Sequence, residues 1–410
     1  MKSEKCSGLP YALRITHHEI IMEHKKLYLY IHIPFCKNKC PYCAFYSIED
    51  LDFIEAYIKT LTEEINLYSS LFNFNHIESI YIGGGTPSLL SPNHLENILN
   101  ILPVNKNAEI TIETNPESLA QEKLKFYKES GINRLSVGIQ SCIDRNLCVL
   151  GRNHRVSQIY KILDYIYGLD FKNINFDFIY NIPGQTPEDL NREFDFIKTY
   201  NPQHLSFYGL ILEEDTDFFN MYNQKTDEDL YRDMYLRISE KLKEIGYEHY
   251  EISNFCKPGY LCRHNWSYWD FSEYLALGPS GSSYIEGKRF KNPDSLGEYI
   301  KNIENNKLAI EEPEKRNSEN ILLEKIFLSL RKNSGLDLKK LSEEYNFNPD
   351  NIIEKFHAFL PEEHYYYRNN SLCLTAKGFL ISNTIILDLY EEILLNIKSE
   401  QRATQYNRDV

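Results

Sequence analysis

The 410-residue sequence predicts an α/β protein: a partial (β/α)6 TIM-like barrel followed by a small winged-helix-like α+β domain. Three observations carry that expectation. Six short β-type runs alternate with helix-like stretches, the pattern of βα units and a parallel sheet. The motifs with chemical content fall where those runs end, the edge at which such folds gather their functional loops. A polar stretch, Glu311–Asn317, then precedes helices and a short β run that do not continue the alternation. Six units are too few to close an eight-stranded barrel, so an open one is expected.

The β-type runs are Leu27–Ile33, Ser79–Ile82, Glu109–Glu113, Arg134–Ile139, Asn173–Ile179 and His204–Leu210. Helical patterns are expected over Asp52–Ser70, Pro92–Leu102, Leu119–Ser130, Val156–Tyr167, Pro187–Thr199 and Asp227–Gly246. From about Tyr247 the pattern turns irregular and polar-aromatic. Beyond the polar stretch, Ser318–Leu330 and Leu338–Tyr345 read as helices, Leu372–Leu374 as a strand, and a last helix begins near Ala376. The expected organisation is an extension over 1–26, a core over 27–290, a linker over 291–317 and the winged-helix-like domain over 318–400. The extension mixes Lys2, Lys5, Arg14, Lys25 and Lys26 with Glu4, Glu19 and Glu23. It lacks the apolar core of a signal peptide and the acid-poor character of a transit peptide, so a cytoplasmic protein is expected.

The balance is acidic, 59 Asp+Glu against 45 Lys+Arg. Nonspecific nucleic-acid affinity comes from Lys and Arg on phosphates, so no nucleic-acid partner is expected. No apolar run approaches a membrane span. Nine cysteines in a chain this long do not form a secreted disulfide framework. Three are clustered; Cys6, Cys142, Cys148, Cys256, Cys262 and Cys373 are scattered, with Cys142 and Cys148 read as ordinary thiols.

The cluster is Cys36-x3-Cys40-x2-Cys43, directly after the first strand. Three thiolates are one short of the four that usually close an iron–sulfur cube, which leaves one iron open to a further ligand. The alternative is zinc, which wants a fourth Cys or His in a closed shell. His32 lies nearby, but side chains alternate along a strand and it need not face the metal. After the second strand, Gly83-Gly-Gly85-Thr86-Pro87 is a turn whose amides can approach an anionic or amino-acid-like ligand. A plain βα turn explains it equally well. Glu113, Gln140, Arg152 and Asp177 sit at or near later strand tips; each alone could cap a helix, and together they suggest a ligand pocket. His17, His18 and His24 of the extension are taken as surface residues.

These motifs resemble those of the radical S-adenosylmethionine (SAM) enzymes: the triad with Tyr42 before its last cysteine, Gly83-GGTP, Glu113-TNP, Arg134-LSVGIQS, Gly151-RNH and Asp177-FIYNIPGQT. Within that superfamily the sequence is similar to the oxygen-independent coproporphyrinogen III oxidase group, from about Leu27 to Leu389. The resemblance implies a 4Fe-4S cluster held by Cys36, Cys40 and Cys43, with SAM on the open iron through its amino and carboxylate groups. An electron from a donor such as flavodoxin or ferredoxin then cleaves the sulfonium to a 5′-deoxyadenosyl radical. By motif match, Tyr30, Tyr42, Gly85, Thr86, Glu113, Gln140, Arg152 and Asp177 line the SAM pocket. Glu113 or Asp177 would accept from ribose hydroxyls or the ammonium, Arg152 would pair with the carboxylate, and Tyr42 would face adenine.

Within the group, the oxidases carry a fourth cysteine two residues after the third, where this sequence has Phe45. The element Cys262-Arg-His264-Asn265-Trp-Ser-Tyr268-Trp269 looks instead like that of heme chaperones of the HemW type. That resemblance implies heme as a ligand and a respiratory heme-acceptor protein as a partner, with no catalytic residue assigned. It makes His264 a heme-ligand candidate, with Cys262 beside it. A structural histidine and core-packed Tyr268 and Trp269 are the plainer alternatives. Relatives often carry an Ala-His pair in the turn that reads Gly278-Pro-Ser-Gly281 here, so no second histidine comes from it. The rival is a true oxidase that decarboxylates two propionates; a radical enzyme acting on RNA or peptide is a weaker third.

Overall fold

The computed structural model describes residues 26–69, 74–214, 216–222, 227–308 and 316–409. Residues 1–25, with Cys6, His17, His18 and His24, lie outside the described set. Two compact units are formed. One comprises the described parts of Met1–Thr226, Cys262–Ser267 and Ser272–Lys315; the other comprises those of Asp227–Leu261, Tyr268–Phe271 and Arg316–Val410.

The first unit is the barrel. Its strands β1 (Leu27–Ile33), β2 (Ile77–Gly84), β3 (Glu109–Thr114), β4 (Arg134–Gln140), β5 (Ile174–Tyr180) and β6 (His204–Gly209) lie side by side in that order. All five pairings are parallel. Between them run helices α1 (Ile54–Ser69), α2 (Pro92–Leu99), α3 (Gln121–Glu129), α4 (Asp144–Val149), α5 (Val156–Gly168) and α6 (Pro187–Tyr200). On the free side of β1, Tyr274–Leu277 adds a parallel strand, extended antiparallel by Ser282–Ile285 and then Lys288–Lys291. The result is an open arc of six βα units, as the sequence predicts.

Side chains alternate along the strands, apart from a register shift at the tip of β4, and the alternation decides what the arc encloses. Leu29, Ile31, Ile80, Ile82, Ile110, Ile112, Leu135, Val137, Phe176, Phe178, Leu205 and Phe207 are buried on one set of positions. These meet the helices: Phe176 and Phe178 lie 5.9 and 6.3 Å, ring centre to ring centre, from Phe196 of α6. Burying each such ring stabilises the arc by roughly 1.5–3 kcal/mol. The other positions are Ser79, Glu109, Thr111, Glu113, Arg134, Ser136, Asn175, Asp177, His204 and Ser206. They face one another across the lumen, and several pair there, as where Asn175 Nδ2 donates to Ser136 Oγ (2.7 Å) and Asp177 Oδ1 (2.8 Å). A buried polar group must find such a partner or cost its desolvation.

The stretch 291–317, expected as a linker, contains the helix Leu296–Glu304. Ser295 caps it by accepting from the Glu298 N–H, and Leu296, Tyr299 and Ile303 form its buried face at helical spacing. Tyr299 hydroxyl donates to Glu64 of α1 (2.8 Å), which tethers the helix to the barrel. The polar Lys and Asn residues around those three apolar positions hid the period.

The second unit begins at Asp227, earlier than the expected domain. It contains the helix Glu228–Glu244 and an antiparallel hairpin of Glu248–Glu251 with Asn254–Cys256. Helices Ser318–Leu330, Leu338–Tyr345 and Pro349–Phe359 follow. A three-stranded antiparallel sheet then orders Leu336–Asp337, Ser371–Leu374 and Tyr365–Arg368, before helices Ala376–Leu380 and Ser382–Asp409. Helices backed by a small hairpin give the expected winged-helix-like character. Residues 227–261 belong to this unit, although the helix expected over Asp227–Gly246 reads in the sequence as the partner of the sixth strand.

Candidate functional site

The loop after β1 is built to hold three cysteines over the barrel mouth. It leaves at Phe35 and returns at Ile48, closed by Cys36 N–H to Ile48 carbonyl (2.9 Å) and Ile48 N–H to Pro34 carbonyl (2.7 Å). Inside it, the Cys43 N–H donates to the Cys40 carbonyl (3.0 Å). The Phe218 N–H donates to the Pro41 carbonyl (3.0 Å), and Tyr42 packs edge-on against the Phe218 ring, 6.4 Å between centres. Beneath lies an apolar cluster of Leu150, Ile179, Ile182 and Leu210.

Cys36, Cys40 and Cys43 are free thiols on the wall of one cleft of about 940 Å³. Tyr42, Gly85, Thr86, Glu113, Gln140, Arg152 and Asp177 line the same cleft. The glycine-rich turn enters it because two amides continue the β1 ladder: Gly85 N–H to Ile33 carbonyl (2.8 Å) and Thr86 N–H to Phe35 carbonyl (2.7 Å). Gly84 must be glycine: its φ is +108°, and a Cβ there would lie 2.7 Å from the His32 ring. Thr86 hydroxyl faces Cys36 Sγ at 3.7 Å. Arg152 donates Nη1 to Cys40 Sγ (3.3 Å) and Nη2 to Asn115 Oδ1 (2.5 Å), with Glu117 at 3.7 Å. Its Nε is buried without a hydrogen-bond partner.

Glu113 accepts from Tyr81 hydroxyl (2.8 Å) and the Gly84 N–H (3.1 Å). Burial, reinforced by the Asp177 charge, raises its carboxyl to about 7. Burial also raises Asp177, which accepts from Ser136 hydroxyl (2.8 Å). Gln140 stands at the tip of β4 with φ +63°, turned by a register shift against β5.

Three residues named from the sequence lie outside the cleft. Tyr30 does not line the cleft: its hydroxyl pairs with His32 Nδ1 (3.1 Å), and its ring stacks on Tyr81 below the mouth. His264 and Cys262, the heme-ligand candidates, also lie away from it, 1% and 0% exposed. The short helix Arg263–Trp269 tucks them against β2 and β3. His264 Nδ1 pairs with Ser79 hydroxyl (2.7 Å), and its ring stacks on Tyr81 at 5.1 Å. Burial, aided by the Arg134 charge, pushes its imidazole down to about 3, so it stays neutral. Cys262 donates to Glu109 Oε1 (3.5 Å), and burial pushes its thiol up to about 12. Sequence reading missed Asn115, which bridges Thr86 and Arg152. Its place in Glu113-TNP was the available signal.

Barrel, thiol triad and cleft define a class. The Radical SAM superfamily profile matches residues 30–197. The fold is similar to that of coproporphyrinogen III oxidase (HemN) from Escherichia coli, described as a radical SAM enzyme, with TM-score 0.76 over 90% of both chains at 21% identity. Closer sequence likeness narrows the class. The chain is 34% identical to the heme chaperone HemW of Lactococcus lactis over 90% of its own length and 97% of that protein's. It is 31% identical to the Bacillus subtilis heme chaperone HemW, over 87% and 97%. The chain belongs to the HemW family within the radical SAM superfamily.

Membership implies SAM and a 4Fe-4S cluster, and the residues fit both. Three free thiols and an arginine with an orphaned Nε face one cavity, a donor set for iron and for a carboxylate. Among the described residues, no three Cys, His, Asp or Glu side chains converge on one mononuclear ion. No described helix is long and apolar enough to cross a membrane.

Proposed function

We propose that the chain is a heme chaperone: it holds a 4Fe-4S cluster on Cys36, Cys40 and Cys43, binds SAM in the cleft, and passes heme to a respiratory acceptor protein in the cytoplasm. One observation carries the reading. The cleft wall offers three thiols, and the position of the oxidases' fourth cysteine is Phe45, 68% exposed at the mouth.

When bound, the cluster and SAM supply one-electron chemistry, with flavodoxin or ferredoxin as the electron donor. This chain's residues supply orientation. Arg152 has its guanidinium against Cys40 and its Nε unspent, so it suits a carboxylate beside the cluster. Glu113 and Asp177 lie deeper and suit an ammonium or ribose hydroxyls. Tyr42 and the Gly85–Thr86 turn close the sides. Heme is proposed to lie at the mouth rather than at His264 or Cys262. Phe45, Tyr208 and Ile211 present apolar surface there, and Lys37 is placed for a propionate.

The test uses anaerobically reconstituted protein, scored for heme stoichiometry and for porphyrin formed from coproporphyrinogen. About one heme per chain and no porphyrin is the expected pair of results. Porphyrin formation coupled to SAM consumption would instead establish an oxidase.

A further inference from the structure

Outside the cleft lining, the rings of Tyr30, Tyr81 and His264 pack against one another. Tyr81 stacks on Tyr30, at 6.2 Å and 26° between planes, and on His264, at 5.1 Å and 28°, while Tyr30 and His264 are 6.3 Å from each other. We propose that this stack is a positioning device for Glu113, and that His264 acts through Tyr81 and not as a ligand to heme iron. The inference rests on the reading above, in which Glu113 faces SAM.

Glu113 stands on β3 in the polar lumen, where two hydrogen bonds aim it. Tyr81 hydroxyl fixes Oε1 and the Gly84 N–H fixes Oε2, which leaves the remaining lone pairs directed at the cleft. The hydroxyl is only as well placed as its ring, and the ring packs against both Tyr30 and His264. His264 is itself anchored at several points. Ser79 holds Nδ1 (2.7 Å), Glu109 accepts its backbone N–H (3.1 Å), and Ser267 hydroxyl donates to its carbonyl (2.7 Å). Gly83 completes the arrangement: a Cβ there would come 2.9 Å from the Tyr81 ring and 3.1 Å from the Glu113 carboxyl. A side chain clamped this way, and 1% exposed, has no face to offer a macrocycle.

Anaerobic SAM titrations, followed by the change in the electron paramagnetic resonance spectrum of the reduced cluster, test the device alongside heme stoichiometry. Tyr81→Phe removes one oxygen; it is expected to weaken SAM binding about tenfold with iron and heme content unchanged, the scale of one hydrogen bond to a charged group. His264→Ala removes the stacking partner and is expected to act similarly. His264→Phe with Ser79→Ala keeps the stack and leaves no orphaned hydroxyl. It is expected to hold SAM affinity within about threefold of the parent and to retain full heme. Parental SAM affinity in Tyr81→Phe overturns the proposal, as does heme loss with unchanged SAM binding in the paired variant. If the parent protein binds no SAM, the cleft reading falls first and takes this inference with it.

Discussion

At Glu113 the lumen withdraws water from a carboxylate and returns two donors, Tyr81 and Gly84. Burial outweighs them, so the group titrates near 7 instead of in the ordinary carboxylate range. Only the ionised form attracts an ammonium. The sign follows: SAM affinity should rise as pH increases through about 7, because the proton that competes with the ligand is lost over that interval. Titrations at about pH 6 and about pH 8 check this. Glu113→Gln should bind more weakly and show a flat profile; a parental profile in that variant would place the titrating group elsewhere. His264 behaves oppositely. With its imidazole pushed down to about 3, it adds no charge change near neutrality.

Elements of the barrel are joined by polar ties as well as apolar contact, and α1 shows this most clearly. Its Glu64 is fully buried and accepts from the Gly278 N–H (2.8 Å), Asn292 Nδ2 (2.9 Å) and Tyr299 hydroxyl (2.8 Å). One side chain thus fixes α1 to the turn after Tyr274–Leu277 and to the helix Leu296–Glu304. Glu64→Ala would leave three buried donors without their acceptor and open a cavity. The expected loss is about 3 kcal/mol, read as a lower urea midpoint at unchanged slope. An unchanged midpoint would mean that water replaces the carboxylate. The cysteine loop has its own closure at Phe35 and Ile48, independent of any thiol.

That independence has a consequence for the molecule as a whole. A zinc finger needs its metal to fold; this barrel has a continuous apolar shell between strands and helices and a loop closed by backbone hydrogen bonds. Cys36→Ala, Cys40→Ala and Cys43→Ala together should therefore abolish iron uptake and SAM binding while leaving far-ultraviolet circular dichroism unchanged. Collapse of that signal would show that the cluster holds up the fold.

The sequence by itself determined the six βα units, the cysteine triad, the strand-tip residues of the cleft and, through Phe45, the branch of the superfamily. All of these are local: a motif and the strand it follows lie within a few residues, so spacing alone places one against the other. Tertiary structure alone decided what lay far apart. Ser79 and His264 pair across 185 residues, which buries the imidazole that the sequence offered to heme. Tyr30, on a strand next to the cleft, packs its ring on Tyr81, its register partner on the adjacent strand. The helix inside the expected linker is tied to the barrel by Glu64, more than two hundred residues earlier, which accepts from Tyr299. Periodicity reports which face of an element is buried; it is silent on which distant element covers that face.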